Sequence, residues 1–169
     1  TVEINSSTTN GPLLSDTDYF GVSIANIGDL DGDGVDDLAV GAHNDDNGGD
    51  DRGAVHIMYM NTDGSVDSTV EINSSTTNGP LLSDTDRFGQ SIANIGNLNN
   101  DCVDDIAVGA YLDDNGGSGS GAIHIMFMIN DATSCSTISG EKKNNCNLTG
   151  NCEIIIPVKK QFCFLFWCW

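Results

Sequence analysis

Basic residues are scarce in this sequence: 169 residues include only 6 Lys and Arg against 25 Asp and Glu, for a net charge of −19. A surface of that sign repels nucleic-acid phosphates and anionic membranes, so neither is expected as a partner. Bound divalent cations would relieve the self-repulsion. No apolar run approaches the ~20 residues of a membrane span. The chain opens on Thr1 and shows no signal peptide, as expected of a processed chain or a piece of a longer one. Convincing helical periodicity is missing. So is any nucleophile–base pair, phosphate-cradling loop or tuned carboxylate pair, and an enzyme is therefore not expected.

The scarce residues are also unevenly placed. Lys142, Lys143, Lys159 and Lys160 follow Gly140, where Glu141 and Glu153 are the only acids. Cys135, Cys146, Cys152, Cys163 and Cys168 lie in the same region, and Cys102 stands alone upstream. This divides the chain into an acidic body, residues 1–130, and a Cys-rich tail, residues 131–169, that ends in the apolar segment FCFLFWCW. In an extracellular protein such a tail suggests disulfides, with one cysteine left free or paired with Cys102 or another chain. The apolar terminus could dock into a core, mediate self-association or begin a membrane segment. Three N-x-[ST] sequons, at Asn5, Asn73 and Asn147, are candidate glycosylation sites.

What is abundant is repetition. Thr1–Asp18 recurs letter for letter at Thr69–Asp86, and 46 of 60 positions agree between Thr1–Met60 and Thr69–Met128. The two copies, Thr1–Ser68 and Thr69–Asn130, must share one fold. Within a copy, Ser23–Ile27, Asp37–Ala42, Ala54–Met60 and Val66–Ile72 read as strands. Ala54–Met60 alternates, with Val55, Ile57 and Tyr59 on one face and His56, Met58 and Met60 on the other. Asn47-Gly48-Gly49 and Asp63-Gly64 supply turns. Four short strands per 68-residue unit predict an all-β fold built from propeller blades of four antiparallel strands.

Between the first two strands lies GDLDGDGVDDLAVGA, with five aspartates between Asp29 and Asp37. Counting Asp29 as position 1 puts Asp31, Asp33 and Asp37 at positions 3, 5 and 9. Val35 can offer its carbonyl oxygen at position 7. Alternate carboxylates in a tight loop converge on a hard cation such as Ca2+, and Gly34 at position 6 permits the sharp turn. An EF-hand is excluded, because position 12 is Val40 inside a strand and no helices flank the loop. In the second copy the ligand set is Asn97, Asn99, Asp101, the Val103 carbonyl and Asp105, with Cys102 in place of Gly34. Two charged ligands in place of four predict a weaker site.

His56 and His124 occupy equivalent strand positions. With no second His or Cys at ligand spacing, blade- or solvent-facing roles are expected for them in preference to metal ligation. The loop DDNGGDDRG, Asp45–Gly53, reads as a turn, with an auxiliary cation site as the competing reading.

Phe20-Gly21 and Gly41-Ala42, with Phe88-Gly89 and Gly109-Ala110 in the second copy, flank these loops. Together with the pattern D-x-[DN]-x-D-G-x-x-D at Asp29–Asp37, they resemble the FG-GAP repeat of integrin α-subunit β-propellers and their prokaryotic relatives. The resemblance covers Thr1–Asn130. Departures are His43 and Tyr111 where the family often has Pro, and Asn97 and Cys102 in the second loop. The resemblance implies that the calcium loop joins the first blade strand to the second, that Phe20 and Phe88 pack between blades, and that Thr1–Ser6 is the last strand of a preceding blade. Cys152–Val158 could supply the fourth strand of the second blade. Two blades do not close a ring, which takes four to eight, so either the chain is part of a longer protein or blades from several chains associate. The implied function is a non-catalytic, calcium-stabilised binding or adhesion module, extracellular or at the cell surface, whose protein or glycan ligand the fold does not identify. The alternatives are a structural subunit of an extracellular fibre, sheath or surface layer, and a scaffold fragment of a larger secreted enzyme.

Overall fold

The duplicated sequence is laid out as two antiparallel sheets. The computed structural model describes residues 1–129, so the Cys-rich tail with the disulfides expected of it and its apolar end, Asn147 and Cys152–Val158 lie outside the described residues. The strands are β1 (Phe20–Asn26), β2 (Leu38–Ala42), β3 (Ala54–Met60), β4 (Val66–Ile72), β5 (Phe88–Gly96), β6 (Asp105–Ala110) and β7 (Ala122–Met126). The first sheet has the order β1-β2-β3-β4 and the second β5-β6-β7. Each is a meander of the propeller-blade kind, and no helix occurs among the described residues. β3 and β4 have the bounds expected from the sequence. β1 starts three residues earlier than expected, at Phe20.

That earlier start is made by a bulge. The β1–β2 register shifts between Phe20 and Ser23, and β5–β6 shifts equivalently between Phe88 and Ser91. Gly21 and Gly89 occupy the extra positions at φ +88° and +87°, a left-handed backbone that glycine adopts without a Cβ penalty. The Phe-Gly dipeptide therefore keeps Phe20 and Phe88 paired to the neighbouring strand while the chain bends.

The alternation in β3 sorts its side chains between two cores. Val55, Ile57 and Tyr59 join Phe88, Ile106, Val108, Met126 and Met128 of the second sheet in one buried cluster. Met58 and Met60 join Val40 and Val66 in another, against which Ile4, Phe20, Val35 and Leu38 pack. Full burial of each such aliphatic side chain contributes about 1.5–3 kcal/mol. Apolar contact is thus the main force holding sheet to sheet.

Polar contacts then set the register of that seam. The loop after β2 grips the segment entering β5: the carbonyls of Asp50, Asp51 and Arg52 accept from the amides of Thr85, Arg87 and Phe88 at 2.8, 3.3 and 2.8 Å. Two ion pairs flank them, Arg52–Asp84 at 2.8 Å and Arg87–Asp51 at 2.7 Å.

One expectation is corrected here. Thr1–Ser6 carries no strand, although the identical residues Thr69–Ile72 lie in β4. In the second copy this sequence finds the open edge of β3; in the first no described strand stands beside it. Ile4 packs on the first sheet without joining a ladder.

Candidate metal centre

The aspartate loop connects β1 to β2 and is closed by a pair of backbone bonds, Ile27 N–H to Asp37 O at 3.0 Å and Asp37 N–H to Gly28 O at 2.8 Å. Within it, Asp29 caps the turn. One of its oxygens accepts from the amides of Gly32 (2.7 Å) and Asp33 (3.0 Å), the other from Gly34 (2.9 Å). Gly34 has φ +92°, and its equivalent Cys102 is forced to φ +76°.

Each of Asp29, Asp31 and Asp37 places a carboxylate oxygen within 4.8 Å of the other two. Asp33 is not one of that group, and its carboxylate accepts from the Val35 amide at 2.8 Å. Like charges this close repel by about 4 kcal/mol per pair at an effective dielectric of 20. The amides on Asp29 offset part of this, and a divalent cation would turn the repulsion into attraction.

Asp37 is the structural member. It is 1 % exposed. Its two oxygens accept from Met60 N–H on β3 (2.9 Å) and Leu30 N–H in the loop (2.8 Å), tying loop, β2 and β3 together. Burial pushes its carboxyl up to about 6 against the lowering effect of those two amides, with Asp31 and Asp33 adding to the rise.

The second loop keeps this frame and changes its contents. Asp105 accepts from Leu98 (2.8 Å) and Met128 (2.9 Å), and burial again raises its carboxyl. The Asn97 side-chain oxygen accepts from the Asp101 amide at 3.0 Å. Asn99, however, donates its side-chain amide to the Asp101 carboxylate at 2.8 Å. An internal hydrogen bond thus does here what charge neutralisation would do in the first loop.

A second group of ligand-type side chains escaped the sequence reading. Asp45, from the loop after β2, His56 on β3 and Glu71 on β4 place one ligand atom each within 4.8 Å of one another. His56 is fully buried, with the Phe20 ring edge-on to it, so it does not face solvent. The only sequence signal was the acidic loop Asp45–Gly53. The strand pairing of His56 with Glu71 could not be seen without the register. Nearby Asp18 is buried as well, and its carboxyl is raised by that burial and, to a lesser degree, by Asp45 and Asp46.

With this geometry in view, the comparisons with known proteins are specific. Residues 20–58, from Phe20 through the aspartate loop into β3, match the FG-GAP repeat family model. The chain is 40% identical over 109 residues to human integrin alpha-11, covering 63% of this chain and 8% of that protein. It is 36% identical over 95 residues to Xenopus laevis integrin alpha-4, covering 56% of this chain and 9% of that protein. The chain spans less than a tenth of the length of these relatives.

Proposed function

We propose that this FG-GAP repeat protein, of integrin-α type, is a calcium-stabilised, non-catalytic binding or adhesion module that works outside the cell or at its surface. The observation that carries the reading is the convergence of Asp29, Asp31 and Asp37 in a loop whose last member also anchors β3. The first site takes Ca2+ through Asp29, Asp31, Asp33, the Val35 carbonyl and Asp37. The second takes it more weakly through Asn97, Asn99, Asp101, the Val103 carbonyl and Asp105. Calcium is a scaffold element in this reading: it holds a hairpin of like charges in the shape that aligns the blade. The partner is a protein or glycan bound on blade loops.

Calorimetric titration with calcium, alongside thermal unfolding with and without EDTA, tests this. One tight and one weak site, with a lower unfolding temperature in EDTA, are expected. Two equal tight sites, or an unfolding temperature indifferent to EDTA, would refute it.

A second reading, a stacked structural assembly, is favoured by the outer face of the second sheet. Ser91, Gly109, Gly121 and Ile123 line an open cleft. They are the equivalents of Ser23, Gly41, Gly53 and Val55, the face by which the first sheet receives Phe88-Gly89. Ile123 is 72% exposed where Val55 is 0%. A further Phe-Gly repeat, of the same polypeptide or of another copy, fits this face. Sedimentation with and without EDTA discriminates: long ordered polymers favour the assembly, and a discrete monomer indifferent to chelation counts against both readings.

A further inference from the structure

We propose that Asp45, His56 and Glu71 form a second kind of metal site, one for a zinc-class divalent cation, separate from the aspartate loop. His56 and Glu71 are directly opposed across β3 and β4, which puts both side chains on one face of the sheet. Asp45 reaches the same point from the loop after β2.

The polar atoms facing one another are unsatisfied. Neither ring nitrogen of His56 makes a hydrogen bond, and neither does Asp45 Oδ2, although His56 is 0% and Asp45 1% exposed. Buried side-chain polar atoms are ordinarily paired, and a cluster of unpaired ones at one point calls for a missing partner. Asp45 Oδ1 accepts from the Asn47 amide at 2.8 Å, which leaves Oδ2 turned to His56. His56 Nε2 and Asp45 Oδ2 stand 3.6 Å apart, too long for a hydrogen bond. Two ligands of a tetrahedral ion at bond lengths of about 2.0–2.1 Å lie about 3.3–3.4 Å apart, close to the His56–Asp45 spacing, and the Glu71 oxygen lies within 4.8 Å of both.

Glu71 is oriented for the task. Its two oxygens accept from the side-chain amides of Asn47, at 3.0 Å, and Asn73. Outer-shell donors of this sort aim a ligating carboxylate. Glu71 is half-buried, which leaves a route for the ion and a place for a water as fourth ligand. One imidazole nitrogen with two carboxylate oxygens suits zinc or a neighbouring first-row divalent ion, whereas calcium prefers an all-oxygen shell.

The second copy holds part of the same arrangement. It retains His124 and Asp113 at 3.5 Å. The chain after residue 129, where a counterpart of Glu71 would fall, lies outside the described residues. Among the described residues the complete triad is the one formed by the loop after β2 with β3 and β4. An ion there would clamp the Asp45–Gly53 loop, which grips the second sheet, to the β3–β4 hairpin.

The test is zinc titration of the full chain with saturating calcium present, read by calorimetry and by NMR of the histidine ring nitrogens. Zinc should shift one ring nitrogen of His56. Glu71→Gln should weaken zinc binding tenfold or more without changing the calcium isotherm. If Glu71→Gln does not fold, Asn47→Ala, which removes an outer-shell donor, should still weaken it about tenfold. Unmoved His56 nitrogens, zinc binding indifferent to both substitutions, or displacement of the zinc by calcium would each overturn the proposal.

Discussion

The Ser23 hydroxyl donates a 2.7 Å hydrogen bond to the carbonyl oxygen of Gly89, 66 residues away, and so joins the bulge of the first sheet to that of the second. A Cβ added at Gly41 would overlap that same carbonyl, and one added at Gly89 would overlap the carbonyl of Ala54. The two sheets approach backbone to backbone here.

Gly41→Ala should therefore destabilise the protein by about 1–3 kcal/mol, the usual cost of overpacking against atoms that cannot move aside. Gly109→Ala, at the equivalent place in the second sheet, meets the Ser91 hydroxyl first, a side chain free to rotate, and should cost less. Ser23→Ala should cost about 1 kcal/mol through the lost bond to Gly89. Urea unfolding of the three variants gives the order directly.

Asp37→Asn should be the most damaging single change in the first loop. An amide has one acceptor oxygen, so Met60 N–H or Leu30 N–H is left unpaired in a buried place, at about 1–3 kcal/mol. The calcium-dependent part of the unfolding temperature should vanish with it. Thermal melts of wild type and variant, each with calcium and with EDTA, separate the two effects.

Without calcium, acid should stabilise the first sheet over a defined window. Asp37 holds its proton up to about pH 6 when folded, above the ordinary carboxyl value of 3.8 that the unfolded chain has. The folded state therefore binds more protons between these values, and stability rises as pH falls from about 6 to about 4, by at most about 3 kcal/mol. With calcium the slope should reverse, because the ion binds the ionised carboxylate. Unfolding temperature against pH in EDTA and in calcium measures both signs.

In the second loop, Asn99→Asp should lower stability in EDTA by about 0.5–1.5 kcal/mol, since it removes the donor to Asp101 and adds a like charge. Combined with Asn97→Asp it should strengthen calcium binding there. Calorimetry that shows no gain in affinity would mean the backbone at Cys102, and not ligand charge, limits the site.

The strand pattern was legible because its causes are local. Alternation in Ala54–Met60 and the turn residues around it leave few choices, and β3 and β4 lie where periodicity puts them. The aspartate spacing likewise announced a loop with converging carboxylates. The spacing alone treats Asp33 as equal to the others, and only the folded turn places Asp29, Asp31 and Asp37 together without it.

By itself, then, the sequence determined the duplication, the strand menu and the acidic loop, all of which follow from side-chain type and spacing over a few residues. Tertiary structure decided what identical residues become. Thr69–Ile72 is a strand and Thr1–Ile4 is not, because a strand needs an open edge to pair with. Asn5 is exposed and Asn73 is buried against Glu71 for the same reason. His56 faces Asp45 and Glu71 only through the β3–β4 register and the path of the loop between β2 and β3. Burial and pairing are properties of neighbours, and neighbours on different strands and loops are chosen by the fold.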